Sequence, residues 1–179
     1  AIVIGISGGI DSALALTLLS EASKQENSPI KKIIALSLPF DCCDGATDQD
    51  NAFRKAKMVC DFLKSNPKIE FHKIDLTNTI NALLLSTAGT MNVGNSWSHG
   101  QLVSVLRTPV FYHQAAILQT NGYKSVVVGT LNRDEGAYIG FFGKASDGMV
   151  DFQIIGDLHK SEVFELSKFL GIPQEIIDA

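Results

Sequence analysis

The feature that most constrains this chain is the way it opens. AIVIGISGGIDSALALTLLSEA runs from a β-branched segment through a turn on Ser7, Gly8 and Gly9 into an apolar stretch that begins at Asp11 and Ser12. Residues 2–6, IVIGI, are the kind of short run buried on both faces of a parallel sheet. Ala13, Leu14 and residues 16–19 then give a helix with a broad apolar face. A strand that ends in glycines and restarts as a helix is one βα unit.

The turn fits neither of the common glycine-rich phosphate loops. A Walker A loop needs GxxxxGK[ST] and a dinucleotide fingerprint needs GxGxxG, whereas GISGGID has no lysine and a different glycine spacing. It still has the properties of an anion site. Glycines let a ligand approach the backbone, the N–H groups at a helix start favour phosphate, and Ser7 and Ser12 add hydroxyls. Asp11 would repel a bare phosphate, so its place there makes sense if a cation such as Mg²⁺ bridges carboxylate and phosphate. The other reading of the same residues is a glycine turn with Asp11 and Ser12 as helix caps.

The rest of the chain repeats the strand-then-helix pattern. IIALSLP (33–39) predicts a second strand, followed by a helix capped by Asp48 in which Ala52, Ala56, Val59 and Leu63 recur at helical spacing. FHKID (71–75) precedes a helix over about 77–86, and a helix around 110–119 leads to the buried-strand run SVVVG (125–129). VDFQII (150–155) reads as a fifth strand. Residues 160–170 form an amphipathic helix ending at Gly171, with Pro173 beyond. Between them GTMNVGNSWSHG (89–100) has the composition of a loop long enough to act as a mobile cover. The expected fold is α/β, a doubly wound parallel sheet with helices on both faces. Residues 7–12, 39–48 and 130–135 would emerge at the carboxyl ends of its strands, where such sheets bind ligands.

Composition narrows the function. At 179 residues and 45% hydrophobic, the chain suits one globular domain over 1–179. A net charge of −4 with scattered lysines and arginines argues against nucleic acid as a partner. No apolar run approaches the roughly 20 residues of a membrane helix, so no membrane partner is expected and the cytoplasm is the expected location. Cys42, Cys43 and Cys60 have neither disulfide-framework nor CxxC spacing and read as inert thiols. The chain starts without Met and inside a strand, which predicts that it is a piece of a longer parent.

SGGIDS (7–12) resembles the SGGxDS pyrophosphate loop of the ATP pyrophosphatases, which split ATP between its α and β phosphates. NAD synthetases, GMP synthetase, asparagine synthetase and tRNA-thiolating enzymes share that loop. The second half separates them: GTLNRDEGAYIGFFGKASDGMVDFQIIGDLHKSEVFELSKFLGIP (129–173) resembles the NAD synthetase pattern GT-x-N/H-x-x-E, then G-[FY]-F-x-K-x-x-D-G, then a lysine in the following loop. The resemblance implies an adenine-nucleotide α-hydrolase-like fold. It assigns Ser7, Gly8, Gly9, Ile10, Asp11, Ser12, Thr130 and Lys160 to ATP, and Asp11 and Glu135 to Mg²⁺. Lys144, Asp147 and Arg107 go to the substrate deamido-NAD, and Asp11, Lys160 and Asp147 carry catalysis.

The implied reaction is amidation. The nicotinate carboxylate of deamido-NAD attacks the α-phosphorus of ATP, pyrophosphate leaves, and ammonia displaces AMP from the acyl adenylate. A homodimer is expected, with a glutaminase domain or subunit as a possible ammonia source. Other readings are a related ATP pyrophosphatase that adenylates a different acid, or a nucleotide-binding homologue impaired in catalysis. The sequence departs from the family pattern in two places. The G-N-x-x-A-R-x-R segment aligns with Gly100, Gln101, Val103, Val105 and only Arg107, and one more residue than usual separates Glu135 from Gly140. The chain also ends before the family's later threonine and His-Lys contacts.

Overall fold

In the computed structural model, which describes residues 1–41, 49–88 and 96–178, five parallel strands form one sheet in the order β3-β2-β1-β4-β5. The strands are β1 (Ile2–Gly5), β2 (Ile33–Ser37), β3 (Ile69–Lys73), β4 (Val126–Gly129) and β5 (Phe152–Gln153). The helices are α1 (Ile10–Lys24), α2 (Gln49–Phe62), α3 (Thr77–Thr87), α4 (Ser96–Thr120), α5 (Lys160–Phe169) and α6 (Gln174–Ile177), with a π-helical turn at Asp134–Ile139. The doubly wound parallel sheet expected from the strand–helix alternation is the fold observed.

The β-branched runs explain why the sheet is covered on both sides. Side chains alternate across a strand, so Ile2 and Ile4 of β1, Ile33 and Ala35 of β2 and Val128 of β4 enter one core with α1, α2, α5 and α6. Val3, Ile34, Leu36 and Val127 point the other way, into a second core with Ile80 of α3 and Val103, Ala115 and Leu118 of α4. Each core residue named here is less than 10% exposed. At roughly 1.5–3 kcal/mol per buried aliphatic side chain, these layers dominate the folding energetics.

Three element boundaries differ from the sequence reading. The fourth helix begins at Ser96, not near Val110. Pro109 resembles a helix start, yet in the structure it lies inside α4, where it lacks the N–H that would have bonded to the preceding turn. Residues 96–100, read as loop, are therefore the first turns of α4. The fifth strand shrinks to Phe152–Gln153, since only Val128 and Gly129 offer it a ladder. The turn at 134–139, to which the sequence reading assigned no element, is π-helical. The expected Asp48 cap, Cys42, Cys43 and the 89–95 part of the expected cover lie outside the described residues. Cys60 is buried, which pushes its thiol up to about 12 and keeps it protonated.

From β1 the chain winds outward through β2 and β3 on one side, then crosses to β4 and β5 on the other. The crevice between the carboxyl ends of β1 and β4 is the topological switch point, the place where such sheets hold ligands.

Candidate active site

A cleft of about 320 Å³ opens at that switch point. Its floor is Gly5 at the end of β1 with Ile6 and Ser7 beyond it, Leu38 and Pro39 after β2, and Thr130 and Leu131 after β4; α2, α4 and the loop carrying Ser146 and Asp147 form its walls. Of the residues predicted for the site, Ser7, Thr130, Arg107 and Asp147 line it. Arg107 reaches it from α4, with its guanidinium carbon 5.9 Å from the centre of the Phe40 ring. Burial lowers the pKa of that guanidinium, while the charge of Asp147 acts in the opposite direction. Lys144 is exposed and is not among the lining residues.

The glycine turn has a specific geometry. Gly8 takes φ +89°, and a Cβ there would come within 2.5 Å of the Ala52 carbonyl oxygen of α2, so only glycine fits. Gly9 is the residue before α1 and supplies no side-chain cap, in contrast to the reading of Asp11 and Ser12 as caps. Ser12 is buried. Its hydroxyl donates to the Gly9 carbonyl at 2.9 Å and lies 3.2 Å from the Ser7 hydroxyl, so these groups brace the turn itself. Ile10 sits in the core, leaving only its backbone to face a ligand. The turn thus presents the partial positive charge of a helix start that no side chain caps.

Asp11, in the first turn of α1, is the centre of a network drawn from distant parts of the chain. Lys160, the first residue of α5, donates to Asp11 Oδ2. Asn132 donates to Asp11 Oδ1 at 2.8 Å and is 1% exposed. The Asn132 side-chain oxygen accepts the backbone N–H of Glu135 at 3.0 Å, which ties the stretch carrying one acidic residue to the other. A helix start disfavours a cation, and the carboxylate of Asp11 offsets that cost for Lys160.

A second strap holds α5 in place. Asp134 accepts the backbone N–H of Lys160 at 2.8 Å and lies 2.7 Å from His159 Nδ1. These contacts, led by the Lys160 N–H, hold its carboxyl below the usual carboxylate range. Gln153 of β5 forms a third strap. It accepts from the Leu131 N–H at 3.1 Å and donates to the Asp147 carbonyl at 2.6 Å, joining the β4 turn to the cleft wall. The residue that lengthens the Glu135–Gly140 interval is accommodated in the π turn. There Gly140, at φ +76°, and Phe141 both donate to the Glu135 carbonyl. A π turn holds one more residue than an α turn and is often found at functional sites.

The sequence reading gave no role to Asn132, Asp134, Gln153 or His159. Only Asn132 left a signal, as the N/H position of the GT-x-N/H-x-x-E pattern, three positions before Glu135. Among the described residues no three His, Cys, Asp or Glu side chains cluster as a metal cage, and no helix is long and apolar enough to cross a membrane.

Comparison with known proteins bears on the family and the fold. An NH3-dependent NAD+ synthetase of Methanosarcina acetivorans is 35% identical over 175 residues, covering 98% of this chain and 60% of that protein. The chain thus spans about 60% of the length of the curated relative it matches. Among solved structures, NMN synthetase from Francisella tularensis superposes with TM-score 0.81 at 32% identity, over 99% of this chain and 64% of that one. The NH3-dependent NAD synthetase from Campylobacter jejuni, solved with the nitrate ion, gives 0.76 at 28% identity, over 99% and 67%. The family model described as NAD synthase matches residues 1–179, and with the fold shared by these structures it makes the chain a member of the NAD synthase family.

Proposed function

We propose that this chain forms the ATP-binding catalytic domain of an ammonia-dependent NAD synthetase, which amidates deamido-NAD. The observation that carries the reading is the convergence of Asp11, Lys160 and Asn132 where the uncapped glycine turn becomes α1, at the carboxyl ends of the strands. Backbone N–H groups of residues 8–12 would hold the pyrophosphate of ATP. Thr130, which lines the cleft with Ser7 at the adjacent strand end, would add a hydroxyl. Lys160 would offset the charge that develops as the bond to the α-phosphorus breaks.

The donor set fits Mg²⁺. Each Asp11 oxygen accepts one hydrogen bond from a side chain, which leaves acceptor capacity on both. Mg²⁺ is commonly held by one or two carboxylates with substrate phosphates and water, so Asp11 and Glu135 would be the protein's ligands without a larger cage. When bound, the ion would neutralise phosphate charge during transfer. A carboxylate does not accept ammonia directly. Adenylation makes AMP the leaving group, and ammonia then attacks the acyl carbon and loses a proton as the amide forms. Asp147 and Arg107 in the cleft, with Lys144 outside it, would hold the acid substrate. Ammonia is the nitrogen donor named for the similar synthetases, and a glutaminase partner could supply it. An ATP-consuming biosynthetic step suits a cytoplasmic protein. Tyr138, Ile139, Phe141 and Phe142 are all more than half exposed and would serve as the face of a homodimer.

A second reading rests on the likeness to an NMN synthetase at 32% identity: the acid could be the mononucleotide rather than the dinucleotide. ATP–pyrophosphate exchange by the full-length protein, with deamido-NAD, the mononucleotide acid and unrelated carboxylic acids in parallel, tests both. Exchange only with an unrelated acid would refute the NAD synthetase assignment while leaving the adenylation chemistry standing.

A further inference from the structure

We infer that Asn132 is a positioning residue that sets the site's two acidic groups, Asp11 and Glu135, in one fixed relation. The inference deepens the functional reading above and rests on it. Asn132 is 1% exposed, and a buried amide must place its donor and its acceptor. It places them on the two residues in question. Nδ2 donates to Asp11 Oδ1 at 2.8 Å, and Oδ1 accepts the Glu135 N–H at 3.0 Å.

The division of labour at Asp11 is what makes Asn132 more than a helix cap. Lys160 holds Oδ2 through a flexible stem that is 37% exposed, so that contact can yield to an incoming phosphate. Asn132 holds Oδ1 from the interior, on a short side chain with little freedom. When Lys160 turns to phosphate, Asn132 is the contact that keeps the Asp11 carboxylate aimed. Through the Glu135 amide it also fixes the start of the π turn, and so the base from which the Glu135 side chain projects. Partners of this kind behind metal ligands commonly tune affinity by about 10–100-fold.

Two substitutions separate positioning from capping. Asn132→Ser keeps a capping oxygen for the Glu135 N–H but is too short to reach Asp11 as well. Asn132→His keeps one ring donor and one ring acceptor. The probe is Mn²⁺ in place of Mg²⁺, with a non-hydrolysable ATP analogue and the full-length protein, followed by the paramagnetic resonance of free Mn²⁺; melting temperatures are measured alongside. Asn132→Ser is expected to weaken Mn²⁺ binding by roughly 10–100-fold with only a small fall in melting temperature, and Asn132→His to restore much of it. Wild-type Mn²⁺ affinity in Asn132→Ser would overturn the inference. So would losses of affinity in both variants that simply track their loss of folding. A wild-type protein that retains no Mn²⁺ with the nucleotide would instead overturn the functional reading, and this inference with it.

Discussion

Asp11 places a negative charge at a turn otherwise arranged for anions, and its neighbours make that charge tolerable. The first turn of α1 favours a carboxylate, Lys160 supplies a counter-charge, and Asn132 fills the remaining direction. Replacing Asp11 by Asn keeps the shape and an acceptor for Asn132 while removing the charge. ATP turnover that depends on Mg²⁺ should then fall by at least roughly tenfold, the scale of one lost charge-assisted contact, with circular dichroism unchanged. Undiminished turnover would remove Asp11 from the metal site. Gly8 tests the turn's shape instead. With φ +89° and the Ala52 carbonyl oxygen 2.5 Å from where a methyl group would stand, Gly8→Ala combines a left-handed backbone with a clash. The backbone alone costs about 1–2 kcal/mol, so a fall in melting temperature of about 2–8 °C is expected, larger if α2 cannot shift.

At the scale of elements, the start of α5 matters because it delivers Lys160. Asp134 takes the Lys160 N–H and the His159 ring, and these contacts lower its folded-state pKa. A lowered carboxyl pKa contributes stability that is fully present above the unfolded value and is lost as pH falls through the folded one. The stability gap between wild type and Asp134→Asn should therefore be constant near neutrality and shrink as pH drops below about 4, the ordinary carboxyl value. Urea midpoints from pH 7 to pH 3 would show it; a gap that widens in acid would contradict it. The same scale shows what the sequence could and could not convey. Ile2, Ile4, Ile33, Ala35 and Val127 are legible as buried strands because β-branched runs need a sheet. The start of α4 is not, because Ser96, Ser98, His99 and Gly100 carry no apolar period and Pro109 looks like a boundary. The Asp11–Asn132 bond is also hidden, since 121 residues separate its ends and no local pattern encodes such a meeting.

For the molecule as a whole, we propose that residues 138–147, which close the π turn and follow it, bear on both assembly and substrate. Tyr138 is 88% exposed, Ile139 70%, Phe141 64% and Phe142 54%, a concentration of apolar surface that a soluble monomer rarely carries in one stretch. If this face pairs two copies, Phe141→Asp should shift the full-length protein from dimer to monomer in light scattering while leaving its melting temperature nearly unchanged. A dimer that persists would move the interface elsewhere.

That same segment divides the two candidate acids. Asp147 lines the cleft, while Lys144, three positions earlier, is exposed outside its lining. If the reacting carboxylate lies in the cleft beside Asp147, the longer substrate is the one expected to reach Lys144 as well. The dinucleotide has a second nucleotide half that can extend outward, whereas the mononucleotide ends near the reacting group. Lys144→Ala should therefore raise the KM for deamido-NAD by roughly 10–100-fold, the range for one lost contact to a charged group, and leave the KM for ATP close to wild type. With the mononucleotide acid the same variant should behave almost as wild type. If Lys144→Ala impairs both acids equally, Lys144 acts near the reacting carboxylate, and the length argument that separates the two substrates fails.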